Sequence, residues 1–374
     1  MLSTLRFLRD APQGPGAAGV TGHKGFFYHF LDMKSGLRFG SVELSTVDTA
    51  LLLAGALFCQ SYFDAGHADE ASIRALADEI YRGVDWTWAQ ERAPLICHGW
   101  KPESGFLAYD WGGYNEAMLV YLLALGSPTF PVEASAWEAW TRTYDRSWGS
   151  YYGFTYLHAA PLFTHQFTHC WVDFRGLQDG YMRRRGIDYF ENSRRATYAQ
   201  RAYAIGNPEG WKGYGADAWG VTACDGPADI EREFAGSRRR FISYAGRGMG
   251  GARAYDDGTI APYGTASSAP FAPEIVLPAL AAMHERHGAR IYGRYGFHAF
   301  NESFDFTDVK LTHGRVVPGF GWVDTDYLGI EQGPMLAMLE NHRSDLVWRV
   351  MRANPYVRNG LARAGFRGGW LSGA

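Results

Sequence analysis

At 374 residues with 47% hydrophobic side chains, the chain can bury a large core, and length alone allows two or three domains. A formal net charge of −3 with 20% charged residues offers no basic footprint for nucleic acid or an anionic membrane. Cys59, Cys97, Cys170 and Cys224 are widely spaced with no CxxC pair, which excludes a disulfide framework and a zinc signature, and no run approaches the ~18 uninterrupted apolar residues of a membrane span.

The stretch MLSTLRFLRDAPQGPGAAGV has Arg6 and Arg9 inside its apolar part and no signal-peptide hydrophobic region. The expected location is therefore the cytoplasm, or the periplasm for a chain whose leader has been removed. Phe26 to Leu31 and Leu37 to Leu44 read as short strands around the turn Lys34–Ser35–Gly36. Thr46 to Phe63 is apolar on nearly every face and is expected to be an inner helix, with Glu43 and Asp48 at its mouth. Ala71 to Trp88 carries Ile73, Leu76, Ala77, Ile80, Tyr81 and Val84 at helical spacing, an amphipathic outer partner.

The pairing then repeats. The aromatic loop Cys97 to Tyr114 leads into a second inner helix, Ala117 to Leu125, stopped by Gly126, Ser127 and Pro128. Asn115 and Glu116 fall in its first turn, and Ala134 to Ser147 is its more polar partner. Alternating aromatics from Phe163 to Trp171 suggest an extended segment, and Arg183 to Ile205 a long helix charged on one face. Ala272 to Met283 is a third expected inner helix, entered through Pro270, Pro273 and Glu274. Gly333 to Glu340 and Ser344 to Met351 close the pattern after a loop holding Asp324, Asp326 and Glu331.

Alternating buried and amphipathic helices, few short strands and no fixed-period repeat predict an all-α architecture of inner and outer helices, a helical barrel forming one domain over residues 1–374. In a closed ring the inner helices start at one rim, so the carboxylates at their starts converge on one mouth. Aromatic residues make up 16% of the chain, many in Gly- and Pro-containing loops beside polar groups. Such rings suit sugars, whose C–H faces stack while their hydroxyls need polar partners, although an aromatic-rich core accounts for many of them.

The segments GFFYHFLDMKSG, ELSTVDTALLLAG, GYNEAMLVYLLALGSPT, PLFTHQFTHCWVDFRG, GIDYFENSRRATYAQRAYAI, AWGVTACDGP, DGTIAPYGTASSAPFAPE and DYLGIEQGPMLAMLEN resemble the glucoamylase-like domain group. That group includes glycoside hydrolase family 144, the endo-β-1,2-glucanases, and the resemblance runs from about Leu5 to about Trp348. It implies an (α/α)6 barrel and activity on β-1,2-linked glucan; no cofactor is expected. Two features depart from the family pattern. Asn301 to Trp322 is longer than the corresponding loop, and Glu331 stands where an Asp is expected, so its carboxylate reaches about one methylene further.

Hydrolysis of a glycosidic bond needs one carboxylic acid to protonate the leaving oxygen and a second carboxylate to activate water or attack carbon. Glu116, beside Trp111 and Tyr114, fits the acid, or else a substrate-binding or structural carboxylate at a helix start. Asp326 and Glu331 flank a turn before an apolar helix, and one of the two fits the base. Asp48 is either a catalytic carboxylate or a local cap, and Asp225 either lines the cleft or forms an Asx turn before Gly226–Pro227. Glu43, Trp100, Asn115, Trp219 and Glu274 complete a set of substrate contacts. His165 and His169, four residues apart, mimic a metal pair, but without a third ligand they read as sugar-binding or core residues and no metal is expected. A transglycosylase, an exo-acting enzyme releasing short oligosaccharides, and a non-catalytic glycan-binding protein are the alternatives. Oligomeric state is not legible.

Overall fold

The computed structural model describes residues 1–251 and 254–372; residues 252, 253, 373 and 374 of the expected domain lie outside the described residues. Twelve α-helices are present among them. They are α1 Leu2–Asp10, α2 Thr46–Tyr62, α3 Ala68–Arg82, α4 Met118–Gly126, α5 Ser135–Thr141, α6 Gly180–Arg185, α7 Tyr189–Gly206, α8 Pro262–Ala266, α9 Pro273–Ile291, α10 Gly329–Ser344, α11 Leu346–Met351 and α12 Pro355–Arg363. Sixteen strands of two to five residues form seven small sheets, more strands than the few expected, all short and mostly antiparallel hairpins in the connections. The chain divides into two compact units. One comprises Met1–Asp145, Trp171–Asp188 and Leu346–Ala374, the other Arg146–Cys170 and Tyr189–Asp345.

In the first unit the helices pack in layers. All nine residues of α4 are buried, as a helix apolar on every face requires. It packs against α2 and α12; α3 lies on α2, and α1 lies on α3. The α4–α12 crossing is unusually close. A Cβ on Gly126 would sit 2.3 Å from the Tyr356 carbonyl oxygen, and one on Gly360 would sit 2.1 Å from that of Leu122. Asn354 starts α12 by accepting the N–H groups of Tyr356 and Val357, with Pro355 in the first turn, where its missing N–H costs nothing. The strands expected over 26–31 and 37–44 do not form as a hairpin: Phe26–Phe27 pairs with Gly22–His23 and Leu44–Ser45 with Gly99–Trp100, and the turn at 34–36 is closed by the isolated antiparallel bridges Tyr28–Leu44 and Leu31–Arg38.

In the second unit α7 packs against the strand Phe154–Leu157 and the 3-10 turn Leu162–His165, while α8 packs on α9 and α10. One apolar cluster joins Leu162, Ala204, Trp219, Ala269, Val276 and Ala279. Beneath a second, around Phe241, Tyr263, Phe306 and Trp322, Arg247 and Asp257 form a bidentate pair at 2.8 and 2.8 Å, both side chains 0% exposed.

Several expectations are corrected. The third inner helix is amphipathic: α9 buries Val276, Ala279, Met283 and Ile291, but Leu277 is 44% exposed. Its apolar content overstated its burial. Residues 163–171 are not extended but form the 3-10 turns Leu162–His165 and Thr168–Cys170. Since most of that segment is buried on all sides, its alternation carried no information about faces. The long helix expected from Arg183 is two, broken where Gly186 takes a left-handed φ of 71° that ends α6. The partner expected to be polar, α5, buries Trp137 and Trp140.

Candidate active site

Each unit gathers its own group of carboxylates. In the first, the short sheet formed by Leu44–Ser45, Gly99–Lys101 and Gly105–Phe106 delivers the chain into α2. The Ser45 hydroxyl donates to Asp48 Oδ2 at 2.5 Å, and the Asp48 N–H returns to Ser45 Oγ at 3.2 Å. Asp48 thus belongs to a capped helix start. His29 sits between two acids, with Nδ1 2.8 Å from Glu43 Oε1 and Nε2 3.5 Å from Asp48 Oδ2. Burial alone would raise the Glu43 pKa, but its own backbone N–H and His29 outweigh it and hold the group below its ordinary value.

Glu116 lies in the turn before α4 rather than inside its first turn, because Asn115 Oδ1 accepts the Ala117 N–H and the helix begins at Met118. Burial raises the Glu116 pKa, opposed by its own backbone N–H and reinforced by the charge of Asp48. Trp111 donates from Nε1 to Thr46 Oγ1 at 2.9 Å and stacks on His98 at 3.6 Å, so the loop ahead of Glu116 is tied to the mouth of α2. Tyr114 is buried edge-on to Tyr144. Trp100 is half-buried against His23 and Trp88. Phe30, 56% exposed, stacks on His29 at 4.3 Å and offers an open ring face beside Glu43 and Asp48.

The second group joins Asp225, at the end of the strand Ala223–Asp225, with Asp324 and Asp326, just after the strand Gly321–Val323, and Glu331 in the first turn of α10. Asp225, Asp324 and Glu331 are buried, at 3%, 2% and 6% exposure. Asp324 Oδ1 accepts the N–H groups of Thr325 and Asp326. Glu331 is pushed up to about 8, first by burial, then by Asp225 and Asp324; Tyr263 and Arg247 pull the other way. The Tyr263 phenol acts on Glu331 without closing a hydrogen bond of good geometry. Asp225 rises to about 6 through burial and the charge of Asp324, against His313. His313 Nδ1 stands 3.2 Å from Asp326 Oδ2 and 3.8 Å from Asp225 Oδ2. The three ligand atoms lie within 4.8 Å of one another, a spacing that can hold a metal ion.

Other residues singled out from the sequence take different places. His165 is 1% exposed and driven down to about 3, chiefly by burial, with Nε2 3.3 Å from the Ala159 carbonyl. His169 is buried, its Nε2 3.0 Å from Ser193 Oγ. Trp219 is fully buried, with no face open to a sugar. Glu274 lies exposed in the first turn of α9, bonded by the Tyr198 hydroxyl and paired with Arg194. His29, Phe30, His313 and Tyr263 were not singled out from the sequence, and Asp324 was named only with its loop. His29 and Phe30 lie inside GFFYHFLDMKSG, where the His-Phe pair was the available signal; His313 lies in the long 301–322 stretch.

A family model described as "Putative glucoamylase" matches residues 108–355. An "Exo beta-1,2-glucooligosaccharide sophorohydrolase (non-reducing end)" of Parabacteroides distasonis is 26% identical over 366 residues, covering 90% of this chain and 46% of its own length, so the chain spans less than half of that relative. The structure of an endo-beta-1,2-glucanase from Chitinophaga pinensis, in complex with sophorotriose and glucose, superposes with a TM-score of 0.80 at 27% identity, covering 99% of this chain and 82% of that one. A structure described as a putative glucoamylase from Bacteroides uniformis gives 0.80 at 29% identity, with the same coverages.

Proposed function

The chain belongs to the "Putative glucoamylase" family, and from that premise we propose that it is a glycoside hydrolase cleaving β-1,2-glucan, acting within the chain. The carrying observation is that each unit holds a carboxyl whose pKa burial raises, Glu116 in the first and Glu331, raised to about 8, in the second. A carboxyl that keeps its proton near neutral pH is what protonating a glycosidic oxygen demands. The relatives named for β-1,2-glucan chemistry support the substrate class.

In this reading Glu116 donates its proton to the glycosidic oxygen as the C1–O bond breaks. Water attacks C1 and loses its proton to a second carboxylate. Asp48 and Glu43 keep the Glu116 end negative and hydrogen-bonded, and His29 holds both in place. Asn115 and the rings of Trp100, Trp111, Tyr114 and Phe30 line the sugar path beside Glu116. The value of about 8 on Glu331 favours a second assignment, in which Glu331 is the acid. The finer architecture, an (α/α)6 barrel formed as one domain, is likewise proposed, supported by the layered packing around α4.

The test is a product-resolved digestion of linear β-1,2-glucan, starch and cellulose. Mixed-length β-1,2-glucooligosaccharides with no release from starch or cellulose is the expected result. A single short product favours the exo reading, which the sophorohydrolase relative supports. Starch hydrolysis at a comparable rate refutes the proposal.

A further inference from the structure

We propose that Asp225, His313 and Asp326 form a binding site for a divalent cation, of the Mn²⁺ or Zn²⁺ type. The three come from separate segments: the end of the strand Ala223–Asp225, the loop before the strand Arg315–Val317, and the loop after the strand Gly321–Val323. An ion about 2.0–2.4 Å from each ligand holds its donor atoms about 3–5 Å apart. The separations of 3.2 and 3.8 Å from His313 Nδ1, with all three atoms within 4.8 Å, fall in that range.

A second observation points to a ligand. Asp225 Oδ2 is buried and takes no hydrogen bond from the described residues, yet it faces His313. A buried carboxylate oxygen without a donor is costly and rare. The nearby cation cannot supply what is missing, because Arg247 is spent on Asp257 and on the carbonyls of Cys224 and Ile242. Glu331 Oε1 is likewise without a hydrogen bond.

The site is fixed and open. The His313 carbonyl accepts Trp322 Nε1 at 2.8 Å. Gly314 follows at φ +73°, where a Cβ would sit 2.4 Å from the Val323 carbonyl oxygen, so the turn carrying His313 has little freedom. The side chains of His313 and Asp326 are 32% and 51% exposed, which gives an ion its entry. One imidazole with two carboxylates suits a borderline ion; Ca²⁺ and Mg²⁺ prefer oxygen alone.

The test uses the whole chain, stripped with a chelator and titrated with MnCl₂ while free Mn²⁺ is followed by electron paramagnetic resonance, with circular dichroism confirming the fold. One ion per chain is expected, weakened at least about tenfold in His313→Gln and in Asp326→Asn, with Ca²⁺ a poor competitor. Non-saturating binding overturns the proposal, as does unchanged affinity in either folded variant. The readout is independent of hydrolysis, so glucanase activity without Mn²⁺ binding, or binding without activity, separates this proposal from the functional one.

Discussion

Replacing Glu331 by Gln should stabilise the protein at alkaline pH and leave it nearly unchanged at acid pH. Glu331 is raised from 4.5 to about 8 in the fold, by burial first and by the charges of Asp225 and Asp324, with Tyr263 and Arg247 opposing. Below pH 4.5 the group is protonated in both folded and unfolded chains and contributes nothing to their difference. As pH rises from there to about 8, the unfolded chain ionises while the folded one does not. Stability then falls by about 1.4 kcal/mol per pH unit, reaching about 5 kcal/mol, and levels off above. Gln keeps the shape and cannot ionise, so this loss disappears in the variant. Urea unfolding at several pH values between 4.5 and 9 measures it. The gap between variant and parent should be near zero at the acid end and widen steadily. Parallel curves would refute the reasoning, and with it the protonated state assigned to Glu331.

Glu116→Gln should lower turnover on β-1,2-glucan by roughly 10²–10⁴-fold, and the loss should shrink on a substrate with an activated leaving group; the same rescue in Glu331→Gln instead would make Glu331 the acid. Gly360→Val forces a side chain against the Leu122 carbonyl, and a loss of about 3 kcal/mol or more is expected, so an unchanged thermal midpoint would count against the close crossing. Arg247→Met strands Asp257 without its partner at 0% exposure, which should cost about 3–5 kcal/mol in denaturant unfolding, part of it recovered by adding Asp257→Leu.

How much of this was legible depended on whether one segment carried the whole signal. The helices α2 and α4 were readable because their residues are apolar all round, and burial leaves such a helix no alternative. The segment of α9 has similar apolar content, but neighbours chosen by the tertiary fold decide which of its faces is covered. At the candidate site, Glu43, Asp48, Glu116, Asp225, Asp326 and Glu331 all stood out as carboxylates beside helix starts or turns. What could not be read was who meets whom. His29 reaches Asp48 only because the bridge from Tyr28 to Leu44 sets the chain beside α2. His313 reaches Asp225 from 88 residues away. The Arg247–Asp257 pair carries no sequence signal, since nothing local separates a buried ion pair from an exposed one.

The glycine-mediated crossing of α4 and α12 bears on how the protein is made. About 230 residues separate Gly126 from Pro355. At about 5–20 residues per second, a ribosome needs roughly 10–50 seconds to deliver one helix after the other. Throughout that interval the most apolar helix of the molecule lacks the surface that later covers Leu122 and Gly126. A nascent chain halted before residue 355 should therefore be a chaperone client, and one extended past α12 should be released.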